Sequence, residues 1–150
     1  MGWIQFVVIL VGFLAFAIYL GSVFISTKWS VRRRVEIQAA PESIFPFAID
    51  AIQKWKTDKM EGLLEVIESK PPQGVKYKLV VDGRWELEGI LLIKPFQNGS
   101  EVFWECRGNS GRNPIRKYFN LMMDRWIGTD FQKELENLKV RVESKNESTN

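Results

Sequence analysis

The chain has no histidine and only one cysteine, Cys106, among its 150 residues. Lack of histidine removes Ser-His-Asp and Cys-His nucleophilic catalysis, His-ligated metals and imidazole proton shuttles. A single cysteine can form neither an internal disulfide nor a multi-thiolate zinc site. No metal or other cofactor is therefore expected, and Cys106 reads as a small buried hydrophobe on a strand.

Charge is absent from one end. Gly2 to Thr27 contain no charged side chain. As a helix, the apolar run from Trp3 to Ile25 rises about 34 Å, against a hydrocarbon core of about 30 Å. Residues 1–27 are read as a transmembrane helix, with bilayer contact through residues 3–25. A cleaved signal peptide is the rival reading. It calls for a basic leader, a shorter apolar core and a small-residue cleavage site. Here only the α-amino group precedes the core, and apolar residues continue beyond Ala15-Phe-Ala17. Trp3 and Trp29 are placed for the interfacial belt, with Tyr19 deeper.

The formal charge of +3 is local as well. Lys28, Arg32, Arg33 and Arg34 form a basic juxtamembrane segment, 28–34, and the rest of the chain is close to neutral. A nucleic-acid binder carries a basic face in its folded domain, so no nucleic-acid partner is expected. Basic flanks stay cytoplasmic. This predicts a single-pass membrane protein with its domain on the cytoplasmic side, although Arg32 to Arg34 also fit the start of a strand.

Val31 to Gln38 alternates as a strand with one wet face. Pro41 and Glu42 suit a helix start. Pro46 then predicts a short helix, with Trp55 in a polar linker. Strands follow over Gly62 to Ser69, Val75 to Val81, Arg84 to Ile93 and Glu101 to Arg107. Lys70-Pro-Pro-Gln-Gly74, Asp82-Gly83 and Asn98-Gly99 are the turns between them, giving an antiparallel meander. From about Ile115 to Val142 the period becomes 3.6, with Phe119, Met123, Ile127, Phe131, Leu135, Leu138 and Val142 in one stripe widened by Met122 and Trp126. Gly128 inside this helix predicts close approach of a neighbour. Residues 143–150 read as a polar disordered tail.

A sheet with one apolar face needs a cover, and the long helix is the only element large enough. The fold class is α+β: a curved antiparallel sheet wrapped on a long C-terminal helix, preceded by one transmembrane helix. Within residues 32–142 stand Val35-Glu-Ile-Gln-Ala-Ala-Pro41-Glu-Ser-Ile-Phe45 and Gly99-Ser-Glu-Val102-Phe-Trp104, then Asn113-Pro114-Ile-Arg116, Met123-Asp124-Arg-Trp-Ile127-Gly128-Thr-Asp130-Phe131 and Leu135-Glu-Asn-Leu138-Lys139. In these motifs and their order the domain resembles the SRPBCC superfamily (helix-grip, START-like, Bet v 1-like), in particular its polyketide cyclase or dehydratase branch. The stretch between Trp55 and Val81 is shorter than the family pattern, which puts cavity volume in question.

The resemblance implies binding of apolar small molecules such as lipids and fixes no catalytic set. Trp55, Trp85, Trp104, Met122, Met123 and Trp126 are the candidate pocket residues, with Arg107 and Asp124 as polar anchors. Glu86, Glu88 and Glu105 could do acid–base work if buried, but they read more simply as a solvated face shared with Lys76, Lys78 and Arg107. Three readings follow: a membrane-anchored module binding an apolar small molecule or lipid, a cyclase/dehydratase-like enzyme acting on a hydrophobic substrate, or a non-catalytic protein-interaction or stress-related module without a ligand.

Overall fold

The computed structural model describes residues 2–81, 83 and 85–149. The order of elements is α1 (Trp3–Ser22), β1 (Lys28–Ile37), α2 (Pro41–Lys59), β2 (Gly62–Lys70), β3 (Gly74–Val81), β4 (Trp85–Phe96), β5 (Gly99–Asn109) and α3 (Pro114–Thr149). The strands form one antiparallel sheet in the order β1-β5-β4-β3-β2. Four of them are the expected meander, and β1 closes the other side by pairing along β5 from Lys28↔Asn109 to Ile37↔Ser100. Helix α3 packs on β1 and α2. Helix α1 is long and apolar enough to cross a membrane.

The period-2 pattern sorts each strand into two faces. Val31 and Ile37 of β1, Tyr77 and Leu79 of β3, Leu87, Leu91 and Ile93 of β4, and Val102, Trp104 and Cys106 of β5 are buried toward the helices. Ile127, Phe131, Leu135, Leu138 and Val142 of α3 come down on them at helical spacing. Three rings fill the centre. Trp104 and Phe131 stack with centroids 4.1 Å apart and 9° between planes. Trp55 meets Phe131 edge-on at 5.0 Å and Trp104 at 5.9 Å. Trp104 Nε1 donates to Tyr77 Oη at 2.8 Å, so a buried donor is satisfied within the sheet.

Several local expectations are corrected. Helix α2 runs 19 residues through Pro46, and Trp55 lies in it, buried, not in a linker. Pro46 forfeits one backbone hydrogen bond. The buried stripe Ile44, Ala48, Ala51, Ile52 and Trp55 carries the helix past it. The basic segment 28–34 is strand from its first residue, because Trp29 and Val31 are buried on the inner face. Trp29 is therefore a domain residue and not part of an interfacial belt. The expected disordered tail is helical to Thr149. Val142 is buried there, Glu143 accepts from the Gln38 backbone N–H, and Arg141 and Lys145 lie over the Phe47 ring. The β4–β5 turn places Gln97 in the left-handed region at φ 48°. Of the Asp82-Gly83 turn, Gly83 has φ 63°, while Asp82 and Arg84 lie outside the described residues.

The neighbour expected at Gly128 is Arg33. A Cβ on Gly128 would collide with the Arg33 guanidinium. Arg33 sits on the inner face of β1 and reaches past Gly128 to Asp124, donating from Nη1 to Oδ1 at 2.9 Å and from Nη2 to Oδ2 at 3.0 Å. This two-pronged pair fixes the angle at which α3 crosses β1.

Phe131→Ala removes the ring that both tryptophans contact. The expected cost is about 4 kcal/mol, read as a lower urea midpoint at unchanged slope. A loss below about 1 kcal/mol would show that these rings do not hold the grip closed.

Candidate functional site

Filling the centre with Trp55, Trp104 and Phe131 moves the open space to one end of the domain. A cleft of about 540 Å³ lies between the first turns of α3 and the sheet end where β1 and β4 begin. Trp29, Trp85 and Leu87 form its sheet wall. Phe119, Met123, Trp126 and Ile127 form its helix wall. Met60, at the end of α2, and Val81 close it, with Lys59 and Glu61 at the rim. Its surface is mostly apolar, and Phe119 and Trp126 pair at 6.0 Å. Arg116 holds its guanidinium 4.3 Å from the Trp85 ring centre, a cation–π contact that steadies the ring.

Local sequence explains how α3 enters the cleft. Asn113 Oδ1 accepts from the backbone N–H of Ile115 at 3.0 Å and of Arg116 at 3.3 Å, capping the helix just after the β5 loop. The next turns carry Phe119 and Met123 four residues apart on adjoining faces, and Trp126 extends the same side.

The structure separates the candidate residues into three groups. Trp85, Met123 and Trp126 come together in the cleft. Trp55 and Trp104 belong to the packed centre and are closed to a ligand at 1% and 0% exposure. The Trp55 Nε1–H is buried without an acceptor, a cost of about 1–3 kcal/mol that the ring contacts must exceed. Met122 points away from the cleft into a shallow groove beside α1, lined by Ile18, Ile115, Tyr118 and Phe119. Trp29 and Phe119, not among the candidates, are cleft residues. Trp29 was masked by its position beside the apolar segment, and Phe119 by its place in the general core stripe.

Arg107 is on the outer face of β5, so it is no anchor for anything bound between sheet and helix. There it donates to Glu105, which also accepts from Arg32 at 2.6 Å. Glu88 stands opposite Arg107 in the ladder, and Lys78 pairs with Glu86 at 3.0 Å. The glutamates thus form part of a solvated, charge-paired face. A broader and more polar hollow, about 660 Å³, lies over this face. Asp124 is taken up by Arg33.

No Asp, Glu, Lys or Arg is buried among the described residues. Tyr77 and Cys106 are the buried titratable groups there. Burial raises both: the Tyr77 phenol well above its usual range and the Cys106 thiol to about 12. Both stay protonated, so the interior offers packing and not an ionised acid or base. No group of three or more potential metal ligands occurs among the described residues.

No family model matches the chain, and no curated protein matches it by sequence. Its fold does have solved counterparts. The di-domain ARO/CYC StfQ from the steffimycin biosynthetic pathway superposes with a TM-score of 0.59 at 10% identity, over 80% of this chain and 52% of StfQ. This chain therefore spans about half the length of that protein. The Polyketide_cyc-like protein Cgl2372 from Corynebacterium glutamicum gives a TM-score of 0.54 at 12% identity, over 81% of this chain and 95% of that one. Protein CV1439 from Chromobacterium violaceum gives 0.53 at 14% identity, over 76% and 96%. These likenesses are of fold. The architecture they share with this chain is the helix-grip α+β fold, an antiparallel sheet on a long C-terminal helix.

Glu105 gives the outer face a pH signature. The Arg107 hydrogen bond, chiefly, holds its carboxyl below the usual range against a smaller opposing push from burial, with Arg32 adding to the effect. A depressed carboxyl stabilises the fold fully above the unfolded-state value of about 4.3 and loses that contribution as pH falls through the folded-state value. Glu105→Gln should cost about 1 kcal/mol near neutrality. Its deficit against the wild type should close below about pH 4. A deficit independent of pH would mean that the side chain acts by packing alone.

Proposed function

We propose that this protein is a membrane-anchored module that binds an apolar small molecule or lipid in the cleft at the N-terminal half of α3. The cleft carries the reading. Its size lies within the range of small-molecule sites, and its walls are aromatic and aliphatic side chains from α2, α3 and the sheet. It also lies at the end of the domain from which α1 departs, since Trp29 lines it and follows Ser22 by only seven residues. Tethering there raises the local concentration of the domain at a lipid surface.

The fold of polyketide cyclase-like proteins supports a hydrophobic ligand. The cyclase/dehydratase-like alternative requires an ionisable group at the ligand, and among the described residues that line the cleft the ionisable ones are Lys59 and Glu61, both at its rim. Binding without turnover is the reading the geometry favours.

The anchor reading rests on α1, whose 20 residues are exposed apart from Gly21 and Ser22. Lys28 and Arg32 to Arg34 follow it, which favours a cytoplasmic domain. Arg32, Arg33 and Arg34 also pair with Glu105, Asp124 and Glu101, so this basic segment serves the fold as well.

Full-length protein released from nanodiscs and studied by native mass spectrometry should retain lipid or added oleate. Trp126→Ala and Met123→Ala should each weaken oleate retention tenfold or more, about 1.4 kcal/mol. Because Trp126 is 46% exposed, its loss should cost less than about 1 kcal/mol of stability. An empty wild-type protein, or variants that bind as it does, would contradict the proposal.

A further inference from the structure

The first turns of α3 present two apolar faces. One is buried in the domain through Ile127 and Phe131. The other, about a third of a turn away, carries Ile115, Phe119, Met122 and Trp126 at spacings of four, three and four residues. These four are 64%, 41%, 43% and 46% exposed. A patterned apolar stripe left exposed beside the buried face of the helix calls for a partner.

The end of α1 identifies that partner. Tyr118 Oη donates to Ile18 O at 2.9 Å, Lys117 Nζ to Ser22 O at 3.2 Å, and Asn120 Nδ2 to Ser26 O at 2.8 Å. Gly21 admits the Tyr118 hydroxyl, which a Cβ there would strike. Ser110 completes the clamp by bonding Thr27 O through both its backbone N–H and its hydroxyl. The start of α3 is thus fixed alongside the last turn of α1, level with Ile18, about 6 Å in from the end of that helix. An apolar groove of about 320 Å³ runs between the two helices, and Phe119 lines both this groove and the cleft.

The geometry points to a second membrane contact: the Ile115–Phe119–Met122–Trp126 face of α3 lies in the interfacial layer of the bilayer, with lipid acyl chains filling the groove against α1. This rests on α1 spanning the bilayer, as proposed above. If α1 spans, Ile18 and the side chains level with it sit at the boundary of hydrocarbon and headgroups, the depth at which an amphipathic helix lies. The flanking charges agree. Arg116 and Arg125 flank the stripe and Arg112 precedes it, and the one acidic residue between positions 112 and 126, Asp124, is occupied by Arg33. Anionic headgroups complement such a border. Through Phe119 the cleft then opens onto the leaflet, so an acyl chain passes from bilayer to cleft without crossing water.

The test uses the full chain in nanodiscs of equal parts phosphatidylcholine and phosphatidylglycerol doped with doxyl-labelled lipid. Single labels of the environment-sensitive fluorophore NBD are placed at Ile9→Cys in α1, at Ile115→Cys and Met122→Cys on the stripe, and at Val140→Cys. Val140 is exposed and about 27 Å further along α3 than Met122. Cys106 is buried and takes no label. The expected result is loss of most emission at positions 9, 115 and 122 and none at 140. Quenching at 9, with 115 and 122 behaving like 140, overturns the second contact and leaves the anchor standing; a second copy of the chain covering the stripe would give this result. No quenching at 9 overturns the anchor. In that case quenching at 115 and 122 still upholds the stripe as a lipid surface, and its absence removes both.

Discussion

The stack of Trp104 on Phe131, closed edge-on by Trp55, is the interaction on which the other features depend. It joins β5, α3 and α2 at one point, and each ring comes from a different element. Aromatic pairs in these offset and edge-on geometries add to the free energy of burial, and they restrict how the elements can sit. The same contact removes the central space between sheet and helix. Between sheet and helix, open space remains where the rings stop, at the first turns of α3, and the cleft lies there.

From this follows a division of labour along α3. Its 36 residues rise about 54 Å, longer than the sheet needs as a cover. The C-terminal two-thirds serve the core through Phe131, Leu135, Leu138 and Val142. The N-terminal third runs beyond the packed centre toward α1, held by Tyr118, Lys117 and Asn120. The Arg33–Asp124 pair sits between these two parts, where Gly128 lets the guanidinium through. One helix therefore closes the domain, walls the cleft and clasps the apolar segment.

The sequence was most legible where periodicity was strong. The meander and the long amphipathic helix were readable because burial imposes periods of 2 and 3.6 on them, and the apolar N-terminal segment because no charge interrupts it. The misreadings came where tertiary contact overrides a local signal. Pro46 pointed to a short helix, but the stripe beneath it carried the helix on. The polar tail lacked apolar content, yet Val142, Phe47 and Glu143 hold it as helix. Among the candidate site residues, composition alone could not distinguish core from cleft. Trp104 and Trp85 both face inward on strands, and only the position of Phe131 over one of them decides which is open. Arg107 was misplaced for a simpler reason, because its strand parity puts it on the face opposite Trp104 and Cys106.

Where an apolar ligand lodges is read most directly from the bromine anomalous signal of a crystal of the full chain grown with brominated oleate. Bromine is expected between Trp85, Met123 and Trp126, with the Trp55–Trp104–Phe131 cluster undisturbed. Bromine inside a parted aromatic cluster, or over the outer sheet face beside Arg107, would contradict binding in the cleft.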